Sequence, residues 1–428
     1  MKNNLVLFTI IISALGYFVD VFDIVLFSMV RLDSLRDLGF SGSELTDHGI
    51  FLINMQMLGM VLGGFLWGIF GDKIGRVQVL FASILLYSIA NILNGFVTTL
   101  DQYVILRLLA GIGLAGEVGG AVTLVTELLP RAKRSLGVIF LAAVGTSGAV
   151  FAGLVVHYLH WRTAFLIGGG MGLMLLGLRY KMTDSSVFKN LSTHCGLAKG
   201  DLSLLLLNPE KLKRLVVVTM MGVPFYFGYI IMATLSPEIL LYFGRSFTAP
   251  VATVITAAAI GVVVGDILYG VISHKIKSRK NTFLIAFICA FTMCSVIFFF
   301  PFKTASAYIT TWFFAGISIG YWTILIASSS ELFGTNLRAT ATTIVPNLVR
   351  GSTVILNITL LTLKSWLGFG PAVLTTGLIV FCFAFIALYF LEETFNVDLD
   401  FVETKEGRIS SGAYQQNYAN GNLKVEIG

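Results

Sequence analysis

The sequence predicts an all-α membrane protein, with twelve transmembrane helices in two pseudo-symmetric six-helix bundles and both termini cytoplasmic. Three observations carry that prediction. The 428 residues are 56% hydrophobic and 12% charged, with a mean hydropathy of +0.86, which is too apolar for a water-soluble fold and too long for one buried core. Apolar segments close to the ~20 residues that cross a bilayer recur twelve times between short polar breaks. When the loops are assigned alternately to two faces, the lysines and arginines outside the helices divide 21 to 6, and the richer face is cytoplasmic. The pI near 9.0 therefore reports orientation in a membrane and implies no nucleic-acid partner.

In chain order the spans read as 5–30, 49–70, 77–97, 102–128, 136–157, 163–178, 215–235, 249–272, 282–300, 305–330, 340–363 and 371–391. The first opens with a lysine but has no A-x-A cleavage site and is too long for a signal-peptide core, so it is retained as a helix. The fifth and sixth meet at an outward YLHWR turn, where His157 and His160 read as interface anchors rather than metal ligands. A polar linker, 181–213, separates an N-terminal bundle (1–180) from a C-terminal bundle (214–391), and a polar tail, 392–428, is expected to be disordered. Cys195, Cys289, Cys294 and Cys382 show no CxxC spacing and read as packing residues, implying neither disulfide nor metal. No H-E-x-x-H, G-x-S-x-G or phosphate-loop pattern occurs, so neither an enzyme nor a cofactor is expected.

The halves are related by duplication. GMVLGGFLWG from Gly59 aligns with GVVVGDILYG from Gly261 at an offset of 202, and ELLPRAKR from Glu127 aligns with ELFGTNLR from Glu331 at an offset of 204. Two separate matches at nearly one offset indicate repeated six-helix units.

Ionisable residues inside the spans are few: Asp20 and Asp23 in the first, Arg107, Glu117 and Glu127 in the fourth, Asp266 in the eighth and Arg350 in the eleventh. A central Asp costs an inserting helix about 2.5 to 3.5 kcal/mol, and the 17 Leu, Ile, Val and Phe of residues 5–30 offset the helix 1 pair only narrowly. Such groups usually line a hydrated path or pair with one another. A spacing of three puts Asp20 and Asp23 on one helical face. Five acids against two arginines cannot all pair as ions, so at least one carboxyl is expected to carry a proton.

The loop after the second helix, with Gly68, Asp72, Lys73, Gly75 and Arg76, fits G-x-x-x-D-[RK]-x-G-R, the cytoplasmic signature of the major facilitator superfamily. RLLAGIGLAGEVGGA from Arg107 resembles that superfamily's R-x-x-Q-G-x-x-x-G pattern followed by the G-E-x-G-G-A of metabolite:proton symporters, with Ala110 in place of Gln. The acids of the first helix resemble the D-G-x-D of aromatic-acid:proton symporters. The resemblance implies alternating access about a central cavity. It also implies a cytoplasmic gate of Gly68, Asp72, Lys73, Gly75, Arg76, Glu127, Arg131, Arg134, Glu331 and Arg338.

The function expected is proton-coupled symport of a small organic anion across an inner membrane by a lipid-embedded monomer. Arg350 either binds a substrate carboxylate or holds Asp20 or Asp266 in a pair that closes the halves, and Asp20 either titrates in the cycle or partners Arg107 or Arg350. Asp23, Glu117 and Asp266 are further candidates for the proton path. Arg107, Tyr226, Tyr229 and Tyr321 are candidates for substrate contact. Export, a larger polycarboxylate cargo such as a siderophore, and a non-transporting sensor on the same fold are the alternatives; no long output domain marks a sensor.

Overall fold

A computed structural model describes residues 2–129, 131–179, 205–334, 336–395, 397, 401–403 and 408–410. Among them, twelve helices are long and apolar enough to cross a membrane. The first half comprises span 1 (Val6–Asp37), span 2 (Glu44–Gly71), span 3 (Val77–Asn94), span 4 (Leu100–Val122), span 5 (Phe140–Tyr158) and span 6 (Trp161–Arg179). The second comprises span 7 (Pro209–Met232), span 8 (Val251–Ile276), span 9 (Arg279–Phe299), span 10 (Ala305–Glu331), span 11 (Thr340–Leu367) and span 12 (Phe369–Phe390). Several helices outrun their apolar cores because polar turns at the bilayer surface still satisfy their own backbone bonds. The helix of span 1 runs to Asp37, seven residues past the expected end at 30.

The duplicated glycines do the same work twice. A Cβ on Gly59 would meet the backbone of Leu108, Gly111 and Ile112, and one on Gly261 would meet that of Phe313, Gly316 and Ile317. Spans 2 and 4, and likewise spans 8 and 10, therefore approach backbone to backbone, the close contact that small residues permit in lipid. Both of the gripped helices then break. Span 4 divides into Leu100–Leu114 and Glu117–Leu128, and span 10 into Ala305–Ile319 and Trp322–Glu331. Backbone irregularity at membrane depth is tolerated where protein surrounds it, and it turns polar groups toward the interior of each half.

The two halves meet chiefly where span 2 packs on span 11 and span 5 on span 8. At the end of the interface that the lysine asymmetry assigns to the outside, Arg31 donates to Glu238 at 2.7 Å, Lys364 lies 3.5 Å from Asp47, and Asn357 donates to Asn54 at 2.7 Å. A Cβ on Gly153 would collide there with Thr256. On the inner face, bearing the lysine-rich loops, Gly64 abuts Asn347 and Gly119 abuts Thr343. Among the described residues both seams are in contact at once.

Two boundaries differ from expectation. Residues 209–213, placed in the linker, begin the span 7 helix; Asn208 caps it, accepting from Glu210 and Lys211 N–H at 3.1 and 3.2 Å, with Pro209 at its first turn. The rest of the linker as far as 204 lies outside the described residues. In the tail, β1 (Phe401–Glu403) pairs antiparallel with β2 (Arg408–Ser410), although 392–428 was expected to be disordered. Asn336 exchanges two 2.9 Å hydrogen bonds with the Glu403 backbone, and Arg214 donates to the Glu403 carboxylate at 3.3 Å. These partners come from the bundle, so tail composition could not announce them.

Candidate functional site

At the centre of the interface Arg350 Nη2 donates to Asp20 Oδ2 at 3.0 Å, joining span 11 to span 1 across the two halves. Arg350 is 1% exposed and Asp20 0%, so the pair is shut off from both faces. Arg350 Nε donates to the Tyr226 hydroxyl at 3.1 Å and Nη1 to Asn347 Oδ1 at 3.4 Å. The second carboxylate oxygen of Asp20 has no hydrogen-bond partner among the described residues.

Span 7 supplies a wall beside this pair. Pro224 removes a backbone donor inside the helix, and Phe227–Met232 then adopts the wider π form. The distortion places Phe225, Tyr226 and Tyr229 on one surface with Trp322 at the break of span 10. Ring centroids lie 5.0 Å apart for Phe225–Trp322, 5.6 Å for Phe225–Tyr229 and 5.7 Å for Tyr226–Trp322. The Tyr229 hydroxyl and Trp322 Nε1 are buried without a partner among the described residues. Tyr321, grouped with them from sequence, meets Phe225 edge-on at 6.4 Å and packs more closely on Phe283 and Phe287 of span 9, at 5.8 and 5.6 Å.

Although three residues apart on one helix, Asp20 and Asp23 serve different surroundings. Asp23 turns into the first half, against Gly168 of span 6 and beside Arg107 and Asn91. Arg107 donates to Asn91 at 2.7 Å and lies 4.8 Å from the ring centre of Phe165, inside an aromatic enclosure completed by Phe27 and Tyr103. Asp266 sits within the second half, accepting from Thr323 N–H at 2.8 Å and so capping the helix that resumes after the break.

Glu117 belongs to a third cluster. Its two carboxylate oxygens take Arg179 at 2.8 and 2.6 Å, Ser83 adds a bond at 3.1 Å, and Arg179 also reaches Leu80 O at 2.9 Å. The loop assignment from sequence places Arg179 on the lysine-rich face and Arg31 on the other, yet both side chains are fully buried. The ratio of five acids to two arginines therefore understates the buried positive charge. Hydropathy marks a helix end at such a residue without saying whether its side chain turns outward or in.

The expected cytoplasmic gate is partly visible. The side chains of Asp72, Arg76, Glu127, Arg131 and Arg134 lie outside the described residues, and Lys73 is exposed. Gly68 faces Ile344 and Thr340 at 3.7 and 3.9 Å from its would-be Cβ, and Gly75 takes φ 112° between spans 2 and 3, which favours glycine. Glu331 pairs with Arg279 at 3.0 Å, and Arg338 donates to Ser330 O at 3.0 Å. Arg279, at the start of span 9, is the partner that sequence reading missed.

The glycine contacts at the two seams predict opposite locks. Gly153→Trp fills the outer notch against Thr256 and should hold the outer face open, whereas Gly119→Trp, against Thr343, should hold the inner face open. With the native cysteines replaced, a thiol at Thr256 should label faster from outside in the first variant. A thiol at Ile344 should label faster from inside in the second. The same direction of change in both would contradict the assignment of the seams.

Comparison with known proteins places this arrangement. The structure superposes on a crystal structure of a D-xylose-proton symporter with a TM-score of 0.69 at 17% identity, over 91% of this chain and 98% of that one, a likeness of fold. A protein of Bacillus subtilis named for niacin/nicotinamide transport is 30% identical over 185 residues, 42% of this chain and 45% of the relative, so the match spans under half of that relative. A sialic acid transporter of Escherichia coli is 26% identical over 302 residues, 68% of this chain and 71% of the relative. The model of the Major Facilitator Superfamily matches residues 6–356, and with the broken helices, repeated halves and sealed central pair this makes the chain a multi-pass membrane transporter belonging to that superfamily.

Proposed function

We propose that the protein is a proton-coupled symporter of a small monocarboxylate, acting in a cytoplasmic membrane. The observation that carries this reading is the Asp20–Arg350 pair at 3.0 Å. A substrate carboxylate would compete with Asp20 for one guanidinium, so protonation of Asp20 frees Arg350 for the substrate, and deprotonation after release restores the pair. One proton then accompanies one anion, and the site's net charge is the same in both loaded and empty forms. The surface of Phe225, Tyr226, Tyr229 and Trp322 suits a flat or partly apolar body attached to that carboxylate, with Tyr229 and Trp322 offering donors. Sialic acid, in the name of one relative, is a carboxylic acid, and the other relative's name pairs the acid niacin with its uncharged amide nicotinamide, which supports the class without choosing a member. A large polycarboxylate would need more cations than this sealed site presents among the described residues.

The test is ligand-induced stabilisation of the purified protein, since binding to the folded state raises its melting temperature. Nicotinate, benzoate and N-acetylneuraminate are the probes, with nicotinamide and D-xylose as uncharged controls. Stabilisation by carboxylates alone is expected. In Arg350→Lys, which loses planar two-point geometry, affinity for the best probe should fall about tenfold or more, the ~1.5 kcal/mol of a charged hydrogen bond. Equal response to uncharged controls, or an unaltered affinity in Arg350→Lys, would overturn the assignment.

A further inference from the structure

Asn347 lies one helical turn below Arg350 on span 11 and is 1% exposed. Each end of its amide is engaged. Oδ1 accepts from Arg350 Nη1 at 3.4 Å, while Nδ2 donates to its own helix at Thr343 O, 2.8 Å, and across the interface to Ala115 O at 2.9 Å. Ala115 lies at the break of span 4, between Leu114 and Glu117. Span 2 leaves room for this reach: a Cβ on Gly64 would stand 2.8 Å from Asn347 Cβ. Pro346 precedes Asn347 inside the helix, so span 11 lacks a backbone donor just there and can bend between Thr343 and Arg350.

We propose that Asn347 is a positioning residue that ties the orientation of Arg350 to closure of the inner seam. Resting on the reading of Arg350 as the anion-binding group, the coupling works as follows. With the inner face closed, Ala115 fixes the amide plane of Asn347, and its Oδ1 is aimed at the guanidinium. When the halves part at the inner face, the bond to Ala115 is lost, the amide is held only by Thr343 O of its own helix, and its aim at Arg350 slackens as the substrate meets the cytoplasm. Release inward is thereby joined to weaker presentation of the cation, and rebinding from outside requires the inner seam to shut first.

The bond to Ala115 exists only in inner-closed states, so its loss moves the population toward the inward-open state. For a buried amide–carbonyl bond the shift is about tenfold. The experiment uses the full chain with its native cysteines replaced, in vesicles of both orientations, and membrane-impermeant maleimide as the probe. In Asn347→Ala, labelling of Ile344→Cys from the inner face should rise about tenfold, and labelling of Thr256→Cys from the outer face should fall. General loosening of the fold would raise both. Gly64→Ala, which displaces Asn347 from the opposite half, should give the same reciprocal change, and the double variant should add little to either single one. Unchanged labelling in both single variants, a rise on both faces, or additive effects in the double variant would each overturn the role. None of these outcomes depends on a substrate, so they stand apart from the binding test of Arg350.

Discussion

Asp20→Asn should abolish proton-driven accumulation while leaving exchange intact. Asparagine has nearly the shape of a protonated aspartate and still offers Arg350 a carbonyl oxygen, but it can neither take up nor release a proton. The variant therefore stays in the form in which Arg350, 3.0 Å away in the native pair, is available to a substrate carboxylate. Substrate should bind and the two halves should rock with it aboard. The empty carrier, however, lacks the ionic closure that resets the native protein, so net uptake stops. In proteoliposomes one pH unit more acid outside than inside, the native protein should concentrate its substrate about tenfold at most, since one proton enters with each anion and one pH unit is a tenfold proton ratio. The variant should show no net uptake, while counterflow of labelled substrate proceeds. Accumulation equal to native would remove Asp20 from the proton path; loss of counterflow as well would make the pair a brace needed for folding or movement.

Much of this was open to sequence because lipid makes strict demands. Twelve apolar runs and the repeated glycines answer to a requirement of the bilayer or of close helix packing, and the structure has both, as twelve membrane-length helices and as backbone contacts at Gly59 and Gly261. Asp20 and Arg350 stood out because a charge at membrane depth needs a reason, and their pairing was one of the alternatives the sequence left open. What stayed hidden depends on direction. Asp20 and Asp23 share a helical face by spacing, yet one meets span 11 of the other half and the other meets Arg107, Asn91 and Gly168 of its own. Arg31 and Arg179 stand just past the ends of apolar runs, where a long side chain that reaches into water and one that turns inward leave the same letters. Their partners, Glu238 and Glu117, lie 207 and 62 residues away. The π segment of span 7 left only Pro224 and Gly228 as its trace, and two such residues are compatible with an ordinary kink.

The Glu117–Arg179 pair offers the sharpest stability contrast. Both side chains are fully buried, joined by bonds of 2.6 and 2.8 Å, and both belong to the first half. Taking one partner away strands a charge where nothing solvates it, at a cost of about 3 to 5 kcal/mol. Arg179→Met should therefore depress the apparent unfolding midpoint steeply, and Leu80 O and Ser83 could not compensate for the lost guanidinium. Glu117→Leu should be similarly harmful, because Arg179 is then the stranded partner. Glu117→Leu with Arg179→Met removes both charges together and should recover most of the loss, since apolar groups of like volume can replace a buried ion pair at little cost. Thermal unfolding of the three variants at one heating rate measures the coupling; a double variant no better than the worse single one would mean that the cost lies in packing. The rescued double variant also decides what Glu117 does in transport. Its carboxylate is satisfied by Arg179 and Ser83 within one half and does not bridge the moving interface, so accumulation against the pH gradient should persist. If the double variant folds and exchanges substrate but cannot accumulate it, Glu117 belongs to the proton path with Asp20, and the route inward passes through the first half.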